Sequence, residues 1–288
     1  LILFSCQLYL HGWEIQRRSI RSLNMKRLSK KFFLLIVFIA VHFSVAAEIQ
    51  GDEKAIAIAK ERKARDIGWG TNEAKVLMVL KNAQGNEATR ELKVKTLEVV
   101  DDGDKALTIF ESPRDVKGTA FLSFSHALEA DEQWIFLPAL KRVKRISSKS
   151  KSGPFVGSEF AFEDMTSFEV EKFSYVFLGE EKVNGEECYV LKQTPQYEFS
   201  GYSYQKVWID KSHYRVQKIE FYDQKEALLK TLELSDYKLF KDKYWRAMKS
   251  FMRNVQTRKS TYLLTEEMSF DTELTDSDFD KNSLKRVR

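Results

Sequence analysis

The chain has 288 residues, 43% hydrophobic and 31% charged, which is enough apolar material for a sizeable core and too much for a disordered chain. Its 4 Pro, 12 Gly and 2 Cys exclude collagen-like and Pro-rich architectures, disulfide-stapled miniproteins and Cys-rich zinc modules. The formal net charge of +5 points to a basic protein only until its distribution along the chain is considered.

Residues 1–24 precede the first methionine, Met25, and read as translated upstream sequence. After Met25, the bases Lys26, Arg27, Lys30 and Lys31 lead into an apolar run from Phe32 to Val45 and the small residues Ala46 and Ala47. That is the grammar of a secretory signal peptide, so 25–47 is expected to be a cleaved leader. The apolar run falls short of the roughly 20 residues that span a bilayer. No cysteine follows it, so no lipid-attachment site is present there. The expected mature protein is exported, soluble and, in a bacterium, periplasmic. Residues 1–47 take 7 of 47 basic and 1 of 42 acidic side chains with them, leaving 40 against 41. A nearly neutral exported protein has no global electrostatic case for nucleic acid.

Residues 48–288 read as a single β-rich domain. DEKAIAIAKERKARDIG opens it as a helix, with Ala55, Ile56 and Ala59 on one face and Gly68 as a stop. Extended segments then follow at 74–81, 89–100, 105–111, 118–126, 132–137 and 140–146. In 89–100 the apolar phase slips from Leu92 and Val94 to Leu97 and Val99, which predicts a β-bulge. A Ser-, Lys- and Gly-rich loop covers 147–165. Strands resume on either side of Asn184-Gly185, a strong hairpin signal, and continue at 204–210, 214–223, 228–240, 244–254 and 260–270. The tail predicts a short helix capped by Thr275 or Ser277. Short sequential connections imply antiparallel neighbours. About 11–12 strands in one open sheet must curl, giving a mainly β fold: a curved antiparallel sheet forming an incomplete, half-open barrel with a few lid or terminal helices.

Catalytic signatures do not emerge. His126 and His213 stand 87 positions apart without metal-ligand spacing, and no nucleophile elbow, HExxH, Walker or dinucleotide motif occurs. The chain is therefore not expected to be an enzyme, nor to carry a metal or cofactor. Cys188 reads as a buried small hydrophobe. The run LKRVKRISSKSK (140–151) is the sharpest charge feature, either a solvated strand and loop or a surface for lipid phosphates or an acidic partner. Thirty aromatics follow residue 47, most of them core. A curled sheet that does not close leaves an apolar hollow able to hold an acyl chain.

Five segments carry a resemblance: ESPRDVKGTAFL (111–122), WIFLPALKRVKRI (134–146), GPFVGSEFAFEDM (153–165), VWIDKSHYRVQKIEFYD (207–223) and LTDSDF (274–279). They resemble the outer-membrane lipoprotein-sorting proteins, relatives of the periplasmic lipoprotein carrier LolA, over most of 65–280. The resemblance implies an incomplete barrel with a helical lid over an apolar cavity. It further implies a non-enzymatic periplasmic carrier or chaperone of lipid or lipidated protein, moving cargo toward the outer membrane with transient membrane contact. Linkage to RND/MMPL-type exporters is implied for some relatives, and a periplasmic sensor or regulator of the same fold is the alternative. The motif positions are Trp134, Leu137, Pro138, Arg142, Arg145, Gly157, Ser158, Phe160 and Asp164. Phe110, Phe121, Trp134, Phe136 and Phe160 are the expected cavity-lining residues. Alternation leaves open which sheet face is concave.

Overall fold

The computed structural model describes residues 49–286, which belong to the compact unit Ala47–Arg288. The expected upstream segment 1–24 and leader 25–47 lie outside the described residues. Asp52 starts the one α-helix among the described residues, α1 (Glu53–Ala64). Its extended backbone lets the carboxylate accept from the Ala55 amide at 2.8 Å, satisfying a donor that the first turn would otherwise orphan. Arg62 and Lys63 fall in the last turn, where cations suit the helix dipole. The buried face is Ala55, Ile58 and Ala59, at i, i+3, i+4 spacing, with Ile56 only half-buried. The helix ends at Ala64, before the predicted stop at Gly68.

Thirteen strands follow, one more than the upper expectation. The first half contains β1 (Thr71–Lys81), β2 (Glu87–Leu97), β3 (Lys105–Ser112), β4 (Ala120–Phe124), β5 (Glu132–Leu137) and β6 (Arg142–Ile146). The second contains β7 (Phe173–Val183), β8 (Glu186–Pro195), β9 (Tyr202–Asp210), β10 (Val216–Asp223), β11 (Leu228–Phe240), β12 (Tyr244–Asn254) and β13 (Ser260–Phe270). All pairings are antiparallel in one sheet, ordered β6-β5-β4-β3-β2-β1-β13-β12-β11-β10-β9-β8-β7. Two meanders are thus fused where β1 pairs with β13, and β6 and β7 form unjoined edges. The sheet is curled and open, as expected.

Asn184 and Gly185 both take positive φ (52° and 89°) and close the β7–β8 hairpin in the geometry such a pair favours. The bulge expected from the phase slip in β2 is not its cause. The β1–β2 register runs unbroken from Thr71↔Leu97 to Lys81↔Glu87, and Val99 lies beyond the strand end. The register shift of β2 falls instead at Glu91/Leu92, toward β3. In the tail, the carboxylate of Asp278 accepts from the Thr275 amide at 2.9 Å and starts a 3-10 turn rather than an α-helix.

The connection from β6 to β7 must bridge the two edges, and residues 147–172 do so across one face. Its Phe155, Phe160 and Phe162 join a single cluster with Met78, Leu92, Phe110, Phe121, Ile135, Tyr202, Phe221 and Met252, drawn from β1–β5, β9, β10 and β12. Only the inside of a curl lets so many strands reach one cluster. Helix α1 covers the same inner face over β7–β10, against Tyr175, Leu191, Val207, Ile209 and Val216. The outer face of β3–β5 carries Leu107, Ile109, Leu122 and Trp134, covered by Phe279 and Leu284 of the tail.

Candidate functional site

The edge-to-edge crossing fills the middle of the curl with aromatic side chains. Phe155, fully buried, is the hub: its ring centroid lies 5.1 Å from Phe121, 5.7 Å from Phe162 and 5.9 Å from Phe110. Tilted and edge-on arrangements at these distances add to the burial itself. Of the expected cavity residues, Phe110 and Phe121 therefore share the inner face of the sheet, and Phe160, on the chain's own crossing, packs with them. Trp134 and Phe136 sit on the opposite face beneath the tail, because alternation along β5 turns Gln133, Ile135 and Leu137 inward. The structure thus brings together three of the five and separates the other two.

Polar side chains fasten the crossing. The Asp164 carboxylate accepts from the Ala161 amide (2.7 Å), the Tyr202 hydroxyl (2.7 Å) and the ammonium of Lys230 (2.6 Å). Asp164 thus caps the 3-10 turn and pairs with a lysine. The buried Glu163 carboxylate accepts from Gly201 N (2.8 Å), Ser200 Oγ (2.8 Å) and the Tyr197 hydroxyl (3.3 Å). Its pKa is raised by burial and by the neighbouring Asp164. Ser158 Oγ donates to the Phe155 carbonyl at 2.7 Å, and Gly157 takes φ +77°. Val156 also has positive φ, rare for a β-branched residue, and its carbonyl accepts from Arg90. The remaining motif residues lie elsewhere. Pro138 opens a 3-10 turn after β5, while Arg142 and Arg145 are exposed on the edge strand β6, Arg145 reaching Glu132 at 3.1 Å.

The space left open on the inner face is a cleft of about 1030 Å³ at the C-terminal end of α1. It is walled by α1 and the following turn (Arg62, Trp69), the end of the crossing (Phe168, Val170), the β2–β3 turn (Val99, Asp102) and strands β11 and β12 (Leu234, Trp245). None of Phe110, Phe121, Trp134, Phe136 or Phe160 lines it. The lining mixes apolar and charged groups. Asp102 accepts from His126 Nδ1 (2.8 Å) and the Ala127 amide (2.7 Å), which draw its pKa below the usual carboxylate range against the opposing effect of burial. Asp104 is pushed up to about 6 by burial, partly countered by Lys63. Cys188, buried on the outer face, has its thiol pushed up to about 11 by burial, which makes it an inert core residue. Among the described residues, no group of three or more His, Cys, Asp or Glu is placed to hold a metal ion, and no helix is long and apolar enough to cross a membrane.

Sequence reasoning missed Lys230, Glu163 and Arg62. For Arg62 a signal existed: it continues the spacing of Ala55, Ile58 and Ala59 and so belongs to the inward stripe of α1. For Lys230 and Glu163 none existed, since their partners are distant in sequence.

An open antiparallel half-barrel with a helix and a crossing segment on its inner face is a LolA-like architecture. A LolA superfamily protein from Nitrosomonas europaea shares it at 19% identity and a TM-score of 0.63, with 79% of this chain and 98% of that chain covered. A DUF1329 family protein from Desulfovibrio piger ATCC 29098 is 27% identical with a TM-score of 0.75, covering 80% and 97%. A domain from Vibrio parahaemolyticus, described as outer membrane lipoprotein-sorting, is 58% identical with a TM-score of 0.80, covering 81% of this chain and 99% of its own. Residues 102–286 also match the model of a family described as "Uncharacterized protein". No curated protein matches the sequence. The chain belongs to the outer membrane lipoprotein-sorting protein family, with the LolA-like fold.

Proposed function

We propose that the protein is a non-enzymatic periplasmic carrier that shelters lipid, or the acyl chains of lipoproteins, in the cleft at the end of α1 and moves them toward the outer membrane. The observation that carries this reading is the cleft of about 1030 Å³ between a small helix and a curled sheet whose edge strands do not join. Its volume is at the upper end of the ~300–1,000 Å³ typical of ligand sites. An acyl chain of about 16 carbons resists passage through water by roughly 12 kcal/mol, at ~0.8 kcal/mol per CH₂, so a soluble carrier must offer it an apolar wall. Trp69, Phe168, Leu234 and Trp245 offer one here. Helix α1 buries only three residues against the sheet, Ala55, Ile58 and Ala59, its other links to neighbouring elements being largely polar ones, which suits it to act as the moving cover. The same family's lipoprotein-sorting description supports the cargo class. In this reading Phe110, Phe121 and Phe160 hold the crossing rather than touch cargo, and an RND/MMPL-type exporter is a candidate inner-membrane partner.

Native mass spectrometry of gently purified protein, before and after delipidation, tests the reading. Acyl species released by delipidation, and their reuptake from vesicles reduced by Leu234→Asp, are expected. Protein that neither carries lipid nor extracts it from vesicles would overturn the reading.

A further inference from the structure

Among the described residues, the cations lining the cleft are committed to protein partners, with one exception. Lys63 pairs with Glu169 at 2.8 Å, Arg65 with Glu61 at 2.8 Å, Arg215 with Asp210 at 2.8 Å and Arg246 with Asp66. Lys243 donates to the Ile67 carbonyl at 2.7 Å. Arg62 has no hydrogen bond or ion pair among the described residues. Its guanidinium lies over the Phe168 ring, 3.8 Å from the centroid, and is half-buried in the cleft lining. The nearby Tyr175 and Tyr237 hydroxyls donate to backbone carbonyls, Val170 O and Val216 O, and neither accepts a hydrogen bond from Arg62.

Helical spacing puts Arg62 there. It stands four residues after Ile58 and three after Ala59, on the stripe that faces the sheet. Burial lowers its pKa against the weaker opposing influence of Tyr175, Tyr237 and Asp66, the last of which is paired with Arg246. A planar fork of five donors, stacked on an aromatic ring and left unanswered, matches a phosphate or carboxylate group. Carboxylates in the same lining form no ion pair with it: Glu98 accepts from the amides of Gly68 and Gly70, Asp102 is held by His126, Asp104 accepts from the Val99 amide, Glu169 pairs with Lys63 and Asp66 with Arg246. Asp101, Glu171 and Asp242 are exposed, where salt screens them.

We propose that Arg62 is the headgroup-recognition residue of the cleft, receiving the phosphate or carboxylate of an acidic amphiphile whose acyl chain lies along the apolar wall. This rests on the carrier reading above and narrows its cargo to anionic species.

The test measures equilibrium uptake by the purified protein from phosphatidylcholine vesicles carrying one of four labelled probes with the same acyl length: palmitate, hexadecanol, dipalmitoyl phosphatidylglycerol or dipalmitoylglycerol. Wild type is expected to favour each anionic probe over its uncharged counterpart. Arg62→Met is expected to lose at least about tenfold in affinity for at least one anionic probe while changing the uncharged ones little. Arg62→Lys, which keeps the charge and the fold, is expected to retain part of the preference. The palmitate and phosphatidylglycerol arms tell a carboxylate from a phosphate headgroup. Equal uptake of charged and uncharged probes, or a preference unchanged in Arg62→Met, overturns the assignment and leaves the carrier reading standing. Failure of every acyl probe to bind overturns both, and Arg62-dependent binding of inorganic phosphate without amphiphile uptake overturns the headgroup role.

Discussion

Lys230 on β11 and Asp164 in the crossing segment form an ion pair at 2.6 Å with side chains only 4% and 7% exposed, although 66 residues separate them in sequence. Lys230 also donates to the Glu159 carbonyl at 2.9 Å, so one ammonium anchors two points of the crossing to the wall it lies against. Removing one partner of such a pair leaves a buried charge uncompensated. Lys230→Met is expected to cost about 3–5 kcal/mol in urea unfolding. The double variant Lys230→Met/Asp164→Asn should cost less than the sum of its singles, since the amide oxygen of Asn can still accept while the charge is gone.

Phe155 tests whether the crossing is core. It is fully buried and touches three aromatic rings from two strands and its own segment. Phe155→Ala should destabilise by about 3–5 kcal/mol. A loss under about 1 kcal/mol in the same urea experiment would mean that the segment packs loosely in the curl.

Asp104 sets a pH dependence. Burial raises its folded pKa to about 6 from 3.8, with Lys63 opposing and Glu169 reinforcing the shift. A carboxyl that holds its proton more tightly when folded supports the fold most below about pH 4, and that support declines as pH rises to about 6. At ~1.4 kcal/mol per unit the decline is at most about 3 kcal/mol. Asp104→Asn keeps an acceptor for the Val99 amide and should flatten the stability profile between pH 4 and 6, measured by urea midpoints. Glu163, shifted in the same direction, leaves a smaller slope in that variant.

Two glycines separate turn chemistry from tertiary contact. A Cβ at Gly185, with φ +89°, would meet nothing within 4 Å, so Gly185→Ala should cost about 1 kcal/mol from backbone strain alone. A Cβ at Gly103 would fall 2.4 Å from the Ser125 carbonyl carbon, so Gly103→Ala must move backbone and should cost about 2–3 kcal/mol. Parallel thermal melts of the two variants check the order.

The basic run divides unequally. Arg145, 65% exposed and paired to Glu132, should tolerate Arg145→Ala within about 0.5 kcal/mol. A larger loss in urea unfolding would show that the β6 edge depends on that pair.

Strand after strand was legible because the side-chain period and the turn residues act within a few positions. The β7–β8 hairpin follows from Asn184-Gly185, and the openness of the barrel from a strand count that must curl. The expected cavity was legible only in part. Phe110 and Phe121 do face inward, yet the segment expected to be a surface loop fills the space before them. Its composition of Ser, Lys and Gly up to Gly153 reads as loop, while Phe155, Phe160 and Phe162 supply the packing that takes it inside.

Local chemistry in the sequence by itself determined the class of fold, the chain-order meander, the capped helix and the family motifs, since alternation, caps and turns depend on near neighbours. Tertiary structure alone decided which face is inner, where the open cleft lies, that Lys230 meets Asp164 and that Arg62 has no ion-pair partner among the described residues. Those properties arise from contacts between residues many tens of positions apart, and a curl brings such residues together through the sum of small strand twists that no single segment records.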